Sequence, residues 1–429
     1  MAKALRIGLA GLGTVGTGIV TIIQSHGEMI AARAGRPIEI TAVSARSRGK
    51  DRGVDISGYG WEDSPAELAK RDDVDLLVEV MGGEDGPAKA AVEAALEAGK
   101  PVVTANKAML ALHGQALAEQ AEKNDTTIRF EAAVAGGIPI IKSLTEGLAG
   151  NAITRIMGVM NGTCNYILTR MEKEGISYED VFDDALRLGY LEADPTLDVG
   201  GIDAAHKLAL LSAIGFGAQV DFDGINIEGI ERVSLTDIQQ AKELGYRIKL
   251  LGLARMSDGK LEQRMQPCLV PARSDFGQLD GVTNMVVVEG DSIGRVVLSG
   301  PGAGMGATAS AVMGDVIDIA RGLTVPVFGQ PAASLKAMDR AAPNGNSAYY
   351  LRVLLEDTPG VLARVATVLG EHGISIDRLM QDAHNEDEGA QVLIITHGAP
   401  RSALDDALEA IKALPTSLAD PVAIRIVQL

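Results

Sequence analysis

Along the first 140 residues the apolar positions switch between two spacings. Short apolar runs at 5–10 (LRIGLA), 37–47 (PIEITAVSARS), 75–80 (DLLVEV), 101–106 (PVVTAN) and 127–134 (TIRFEAAV) have the length and β-branched content of buried strands. Between them PAELAKR, AKAAVEAALEAGK and GQALAEQAEK repeat apolar residues every three or four positions, the spacing of a helix with one packed face. Strand and helix in turn predict a Rossmann-type, doubly wound parallel sheet over 1–139, with ligands beyond the carboxyl ends of its strands.

From 140 to 300 the pattern is mixed. Strand-like ITRIMGVMNG, YRIKLLGLARM, LEQRMQPCLV, NMVVVEG and RVVLSGPG alternate with helical YEDVFDDALRLG and LTDIQQAKELG, which predicts an α+β domain whose open sheet carries substrate residues and a face for self-association. GPGAGMGATASAVMGDVIDIARG, residues 300–322, then reads as a glycine turn and a helix of small residues. After a polar linker at 331–347, residues 348–429 follow the order βαββαβ, the ferredoxin-like plan.

Length, 429 residues, allows about three domains, and 46 % hydrophobic with 22 % charged residues is a globular composition. The formal net charge of −18 excludes nucleic acid as an expected partner, because counterion release needs clustered Lys and Arg. No apolar run of eighteen residues is present and the N-terminus enters a strand pattern at once, so a cytoplasmic protein without membrane contact is expected. Two cysteines, Cys164 and Cys268, cannot build a disulfide framework or a multi-cysteine zinc site.

The 50 glycines exceed the usual share, and the first cluster of them carries chemistry. Gly11-Leu12-Gly13-Thr14-Val15-Gly16 stands between a strand and a helix: the first glycine permits a tight turn, the second lets backbone approach a pyrophosphate, and the third lets the helix pack closely. At the end of the next strand, where an acid often reads the ribose, Ser44-Ala45-Arg46 occurs instead, followed by Arg48 and Lys50. That favours a 2′-phosphate, hence NADP, with NAD as the alternative. Thr104, Asn106 and Lys107 fall at another strand end.

LGYLEADPTLDVGGIDAAHK, residues 188–207, is dense in charge. Asp203 and Lys207 are four apart at the start of a helix and so share a face; spacing alone leaves open a surface ion pair or a polar pocket. His206 points about 100° away from Lys207, toward packing.

Together GLGTVG, TANK, EAAVAGGIPII, GVMNGTCNYIL, LGYLEADPTLDVGGIDAAHK and SGPGAGMGATASAVMGDVIDIAR resemble homoserine dehydrogenases, in family order over about 325 residues. The resemblance implies NAD(P)-dependent interconversion of L-homoserine and L-aspartate 4-semialdehyde, a branch-point step toward threonine, methionine and isoleucine. It makes Lys207 the proton donor and acceptor, with Asp203 orienting it or the substrate and Lys107 as a second candidate. An amino-alcohol substrate also needs its ammonium paired, for which Glu192 and Asp198 are suited, with hydroxyls from Tyr190 and Thr163. A structural alkali cation such as sodium is implied at Glu131, Val134, Gly136 and Ile138; the segment 301–330 is implied to pack back and complete the dinucleotide-binding domain of 1–139, with Gly304 touching the cofactor.

The C-terminal LEDTPGVLARVATVLGEHGISI resembles an ACT domain, which implies L-threonine as effector, bound at the loop carrying Asp357, Pro359 and Gly360, and a homo-oligomer, dimer or tetramer. Two rival readings remain: a phosphorylating semialdehyde dehydrogenase with Cys164 as nucleophile, and a nucleotide- and amino-acid-responsive sensor without turnover.

Overall fold

Strand β1 (Leu5–Ala10) ends at the glycine turn, and the N-terminal sheet is assembled on both of its edges. The computed structural model describes residues 3–188, 195–341, 345–382 and 389–427. With β2 (Ile38–Ser44), β3 (Gly60–Trp61), β4 (Leu76–Glu79), β5 (Val102–Thr104) and β6 (Ile128–Arg129) the order is β3-β2-β1-β4-β5-β6, all parallel. The order reverses between β1 and β4, which opens a crevice at their carboxyl ends.

The sixth strand is shorter than its sequence suggests. Pairing stops at Arg129, and Glu131–Val134 is a helical turn. The Glu131 carboxylate accepts the N–H groups of Ile141 and Lys142, at 2.8 and 2.9 Å, so the chain turns here to cap the next segment instead of extending.

Helix Met305–Ala320 returns to the first sheet and lies against helix Thr14–Ala34. Gly18 makes this close approach feasible, since a Cβ there would stand 2.8 Å from Met305 Cγ and 3.0 Å from Ala309 Cβ. Ile19 and Val20 share one core with Val312, Met313 and Val316.

A second, mixed sheet is built from β7 (Ile153–Val159), β8 (Asn226–Ile227), β9 (Tyr246–Ser257), β10 (Lys260–Pro271), β11 (Thr283–Gly290) and β12 (Gly294–Pro301). The C-terminal module adds β13 (Ala348–Leu355), β14 (Ile376–Asp382), β15 (Ala390–Thr396) and β16 (Val422–Ile426), with helices Val361–Glu371 and Arg401–Lys412 over one face. Its internal order, β16-β13-β15-β14, is antiparallel, as expected of a ferredoxin-like fold.

The two halves are not merely tethered. β16 pairs in parallel with β10, Cys268 opposite Arg425 and Leu269 opposite Ile426, so the sheet runs through both. Much of the stretch read as a linker is itself anchored: Leu335 is buried, Gln219 N–H donates to Lys336 O, and Leu261 bridges to Arg340.

Helix Ile202–Phe216 lies between the second sheet and helix Lys107–Lys123. Every residue from Ala204 to Ala213 is buried, so the helix is enclosed on more than the single face its sequence suggests. Gly201, at φ 81°, turns the chain into it.

Candidate active site

A cavity of about 640 Å³ opens where the crevice of the first sheet meets the start of that enclosed helix. The glycine turn forms one side. A Cβ on Gly11 would meet the Val80 carbonyl at 2.8 Å, and one on Gly16 would meet Gly11 O at 2.0 Å, so both positions are closed to side chains. A Cβ on Gly13 would meet nothing within 4 Å. Open space at the second glycine, beside the unpaired N–H groups of a helix start, fits a dinucleotide pyrophosphate. Thr14 is exposed beside it and Val15 lines the cavity.

Opposite the turn are the charges. Lys207 Nζ donates to Asp203 Oδ2 at 2.8 Å and to Met160 O at 2.8 Å, while Lys107 Nζ meets Asp203 Oδ1 at 2.9 Å. One carboxylate therefore holds two ammoniums, one on each oxygen. Burial would raise the Asp203 carboxyl, but the Lys207 and Lys107 ammoniums outweigh it and hold the group well below the usual carboxylate range. Lys207 follows from its helix: with the surrounding turns packed, its side chain reaches the cavity and is only 10 % exposed. Lys107 is the first residue of its helix, whose cap, Asn106, accepts from Met109 N–H and donates to Gly83 O.

Asp198 and Thr163 also line the cavity, as do Gly304 and Val134. Tyr190 and Glu192 lie outside the described residues. Thr104 is placed behind the wall, its hydroxyl donating to Glu79 Oε2 at 2.6 Å and accepting from Asn106 N–H. Arg46 is exposed beyond β2, and Arg48 and Arg52 lie over the Trp61 ring, at 5.9 and 5.8 Å. His206 packs on Phe222, ring to ring at 4.4 Å.

Glu131, Val134, Gly136 and Ile138 form one oxygen-bearing turn under the cavity. The Glu131 carboxylate retains lone pairs beyond its two backbone hydrogen bonds, and the Ile138 carbonyl accepts from Ile140 N–H. Among the described residues no group of three or more His, Cys, Asp or Glu could hold an ion, so a cation here would be held largely by carbonyls. Asp357, Pro359 and Gly360 stand exposed in the turn between β13 and helix Val361–Glu371, and none of them lines this cavity.

Three groups escaped the sequence reading. Asn161 donates to Asp198 at 3.0 Å and Asp203 at 3.2 Å while its carbonyl caps helix Gly162–Glu174. Asn284 donates to Met160 O at 3.1 Å, and Gly302 leaves room for it, a Cβ there falling 1.9 Å from its Nδ2. Glu79, fully buried, accepts from Met81 and Gly82 N–H and shapes the wall between the glycine turn and Lys107; burial pushes its carboxyl up. An asparagine before Gly-Thr is a signal for a helix cap, but nothing local marks it as a bridge to two acids.

Neither cysteine can act as a nucleophile at this site. Cys164 is fully buried with Sγ on Asp198 O at 3.2 Å, and burial pushes its thiol well above the ordinary value; Cys268 is buried on the sheet. A glycine turn shaped for a dinucleotide, facing a carboxylate shared by two lysines, defines a nicotinamide-dependent oxidoreductase, here joined to a ferredoxin-like C-terminal module.

Family models agree along the chain: homoserine dehydrogenase, NAD binding domain, at residues 11–131; homoserine dehydrogenase at 139–317; and an ACT domain at 349–416. A homoserine dehydrogenase of Neisseria gonorrhoeae is 43 % identical over 423 residues, covering 96 % of each chain. The crystal structure of one from Thiobacillus denitrificans superposes with a TM-score of 0.93 at 39 % identity, covering 99 % of both chains. A hyperthermophilic archaeal homoserine dehydrogenase mutant in complex with NADPH matches at TM-score 0.64 and 29 % identity, over 75 % of this chain and 99 % of that one. The chain belongs to the homoserine dehydrogenase family, and it is an oxidoreductase with an NAD(P)-binding domain and a C-terminal ACT domain.

Proposed function

We propose that Lys207 is the proton donor and acceptor in the reversible oxidation of L-homoserine to L-aspartate 4-semialdehyde. The bound dinucleotide would take hydride from the alcohol carbon or return it. In the reducing direction the Lys207 ammonium, held by Asp203 and Met160 O, gives a proton to the carbonyl oxygen; in the oxidising direction the neutral amine takes it back. The observation that carries this reading is Asp203 shared by two lysines in the wall of the dinucleotide crevice. Lys107 steadies the developing charge on oxygen. Asp198 and Glu192 pair the substrate ammonium, with Tyr190 and Thr163 adding hydroxyl contacts.

The preferred cofactor is NADP. The glycines at 11, 13 and 16 with Thr14 and Val15 receive the pyrophosphate, Arg46 meets the 2′-phosphate, and Gly304 borders the cofactor, while Thr104, buried behind the wall, supports it only through Glu79 and Asn106. The NADPH named for the archaeal relative supports the same choice. Glu131 and the carbonyls of Val134, Gly136 and Ile138 hold a structural alkali cation such as sodium. L-Threonine binds the ACT loop at Asp357, Pro359 and Gly360 and lowers activity in a homo-oligomer, within the cytoplasm and on the route to threonine, methionine and isoleucine. Among the described residues no helix is long and apolar enough to cross a membrane.

Initial rates with homoserine and each dinucleotide, with and without threonine, test the whole reading. Homoserine-dependent NADPH formation without phosphate is expected, and Lys207→Ala should lower kcat by about 10²–10⁴-fold with NADPH binding retained. Wild-type turnover in that variant removes Lys207 from the chemistry. No oxidation of homoserine by the intact chain leaves only a sensor.

A further inference from the structure

At the seam where β10 meets β16, among residues that do not line the active-site cavity, the continuous sheet gathers guanidinium groups on one face. Alternation along each strand puts Ile424 and Ile426 in the core beneath, and Arg425 and Val427 on the opposite side. The same side carries Met157 of β7, Leu253 of β9 and Cys268 of β10. Two residues from each of the first two stand Arg155 and Arg255, paired directly across the β7–β9 ladder, and Arg264 follows on β10. Like charges placed opposite each other destabilise a sheet unless something pairs them.

Carboxylates pair some of them. Arg155 makes a two-pronged contact with Glu289, at 2.7 and 2.9 Å, and Glu262 is shared by Arg255 and Arg264. Arg425 meets no carboxylate among the described residues. It is 2 % exposed, lies over the Tyr349 ring at 5.0 Å and donates to Ser347 Oγ at 2.5 Å, and its Nε meets no acceptor among the described residues. Burial, and then Arg264, pushes this guanidinium down from its ordinary value. Among the described residues four guanidiniums face two carboxylates, an excess of positive charge inside a chain of net charge −18.

These groups are not packed against solid protein. Arg155, Arg255, Arg264 and Arg425 line one cavity of about 300 Å³, closed on the other side by Asn346, Ser347 and Gly398. Arg255, 35 % exposed, stands at its mouth, and Arg264 and Arg425 lie at its base. A buried guanidinium without an anion is costly, and its planar fork matches the oxygens of phosphate or carboxylate. The volume suits a small ligand.

We propose that this cavity is a binding site for a small multivalent oxyanion, which bridges the catalytic sheet to the ACT module by contacting β7, β9, β10 and β16 together. Its occupancy would be felt as tighter docking of the module on the sheet. The shared chemistry is that of an oxyanion with two or more negative charges; a phosphate and a small polycarboxylate are its two sources.

The test is calorimetric titration of the full chain, saturated with NADPH so that the nucleotide crevice is filled, with inorganic phosphate and separately with citrate at constant ionic strength. Saturable binding of at least one probe is expected, and the tighter of the two tells which source the site suits. Arg425→Gln and Arg255→Gln should each weaken it about tenfold or more while homoserine oxidation stays unchanged. Arg255, at the mouth, keeps the test decisive should the buried Arg425 variant fold poorly. Absence of saturable binding by both probes, or an unchanged Kd in Arg255→Gln, overturns the proposal.

Discussion

Asp203 shows why a residue's neighbours decide its chemistry. Its spacing to Lys207 is common to countless surface ion pairs worth tenths of a kcal/mol. What distinguishes it is a second ammonium, Lys107, which comes from a helix almost a hundred residues earlier. The i,i+4 half of the site was legible because a helix fixes it; the long-range halves, Lys107 to Asp203, Asn161 to Asp198 and Glu79 to Thr104, depend on how strands order themselves. Glu79 in DLLVEV looks like any polar strand residue until its burial is seen. Lys249 was equally silent: it sits fully buried in β9, donating to Asn165 Oδ1 at 2.8 Å and to Leu279 O. Burial, then Arg247, brings it down to about 7. Between that value and the ordinary lysine range the unfolded chain binds a proton that the folded chain lacks, so folding stability should rise with pH across this window and be flat below it. Urea midpoints at pH 6.5 and 9 should show the rise in the wild type and a smaller one in Lys249→Met; equal slopes would mean that the buried amine is not the source.

At the scale of elements, the glycine turn separates steric need from ligand need within six residues. Gly16 is closed by backbone, since a Cβ there would lie on Gly11 O, whereas Gly13 faces open space at an ordinary φ of −82°. Gly16→Ala should therefore destabilise the protein by about 1–3 kcal/mol, through overpacking against atoms that cannot yield. Gly13→Ala should leave the denaturation midpoint unchanged and weaken NADPH binding about tenfold, because the added methyl enters the open space proposed for the pyrophosphate. Denaturation and fluorescence titration of both variants separate the two effects, and a Gly13→Ala protein with wild-type affinity would move the phosphates elsewhere. This motif was legible because each glycine answers a local steric demand. TIRFEAAV was misread as a full strand for the complementary reason: the hydrogen bonds that bend it come from Ile141 and Lys142, and its own apolar run gives no sign of them.

On the scale of the molecule, the order of elements and the ACT-like plan were visible in the sequence, but the way the module docks was not. A parallel pair of only two residues on each side, Cys268–Leu269 with Arg425–Ile426, leaves no periodic trace. The docking is reinforced by Asp237, which is fully buried near the start of helix Leu235–Glu243. It accepts from its own cap, Ser234, and from Tyr350 Oη at 2.9 Å and Arg352 Nε at 2.7 Å on β13. Tyr350, Ile424 and Ile426 belong to the same core as Leu250 and Leu269 of the catalytic sheet. Excising the chain from residue 345 onward would thus expose a sheet edge and a shared core, so loss of activity in such a truncation would say little about regulation. Asp237→Ala tests the seam more finely: it strands the Arg352 guanidinium and the Tyr350 hydroxyl, and should lower stability by about 3–5 kcal/mol. The loss should appear in the urea midpoint while the NADPH affinity of the folded enzyme is preserved, because no part of the dinucleotide crevice touches Asp237. Asp357→Ala, on the exposed loop proposed to bind threonine, should do the opposite, keeping the midpoint and removing the proposed threonine response. If Asp237→Ala unfolds at the wild-type midpoint, the continuous sheet alone couples the two halves, and the buried carboxylate adds nothing net through either the seam or the helix cap.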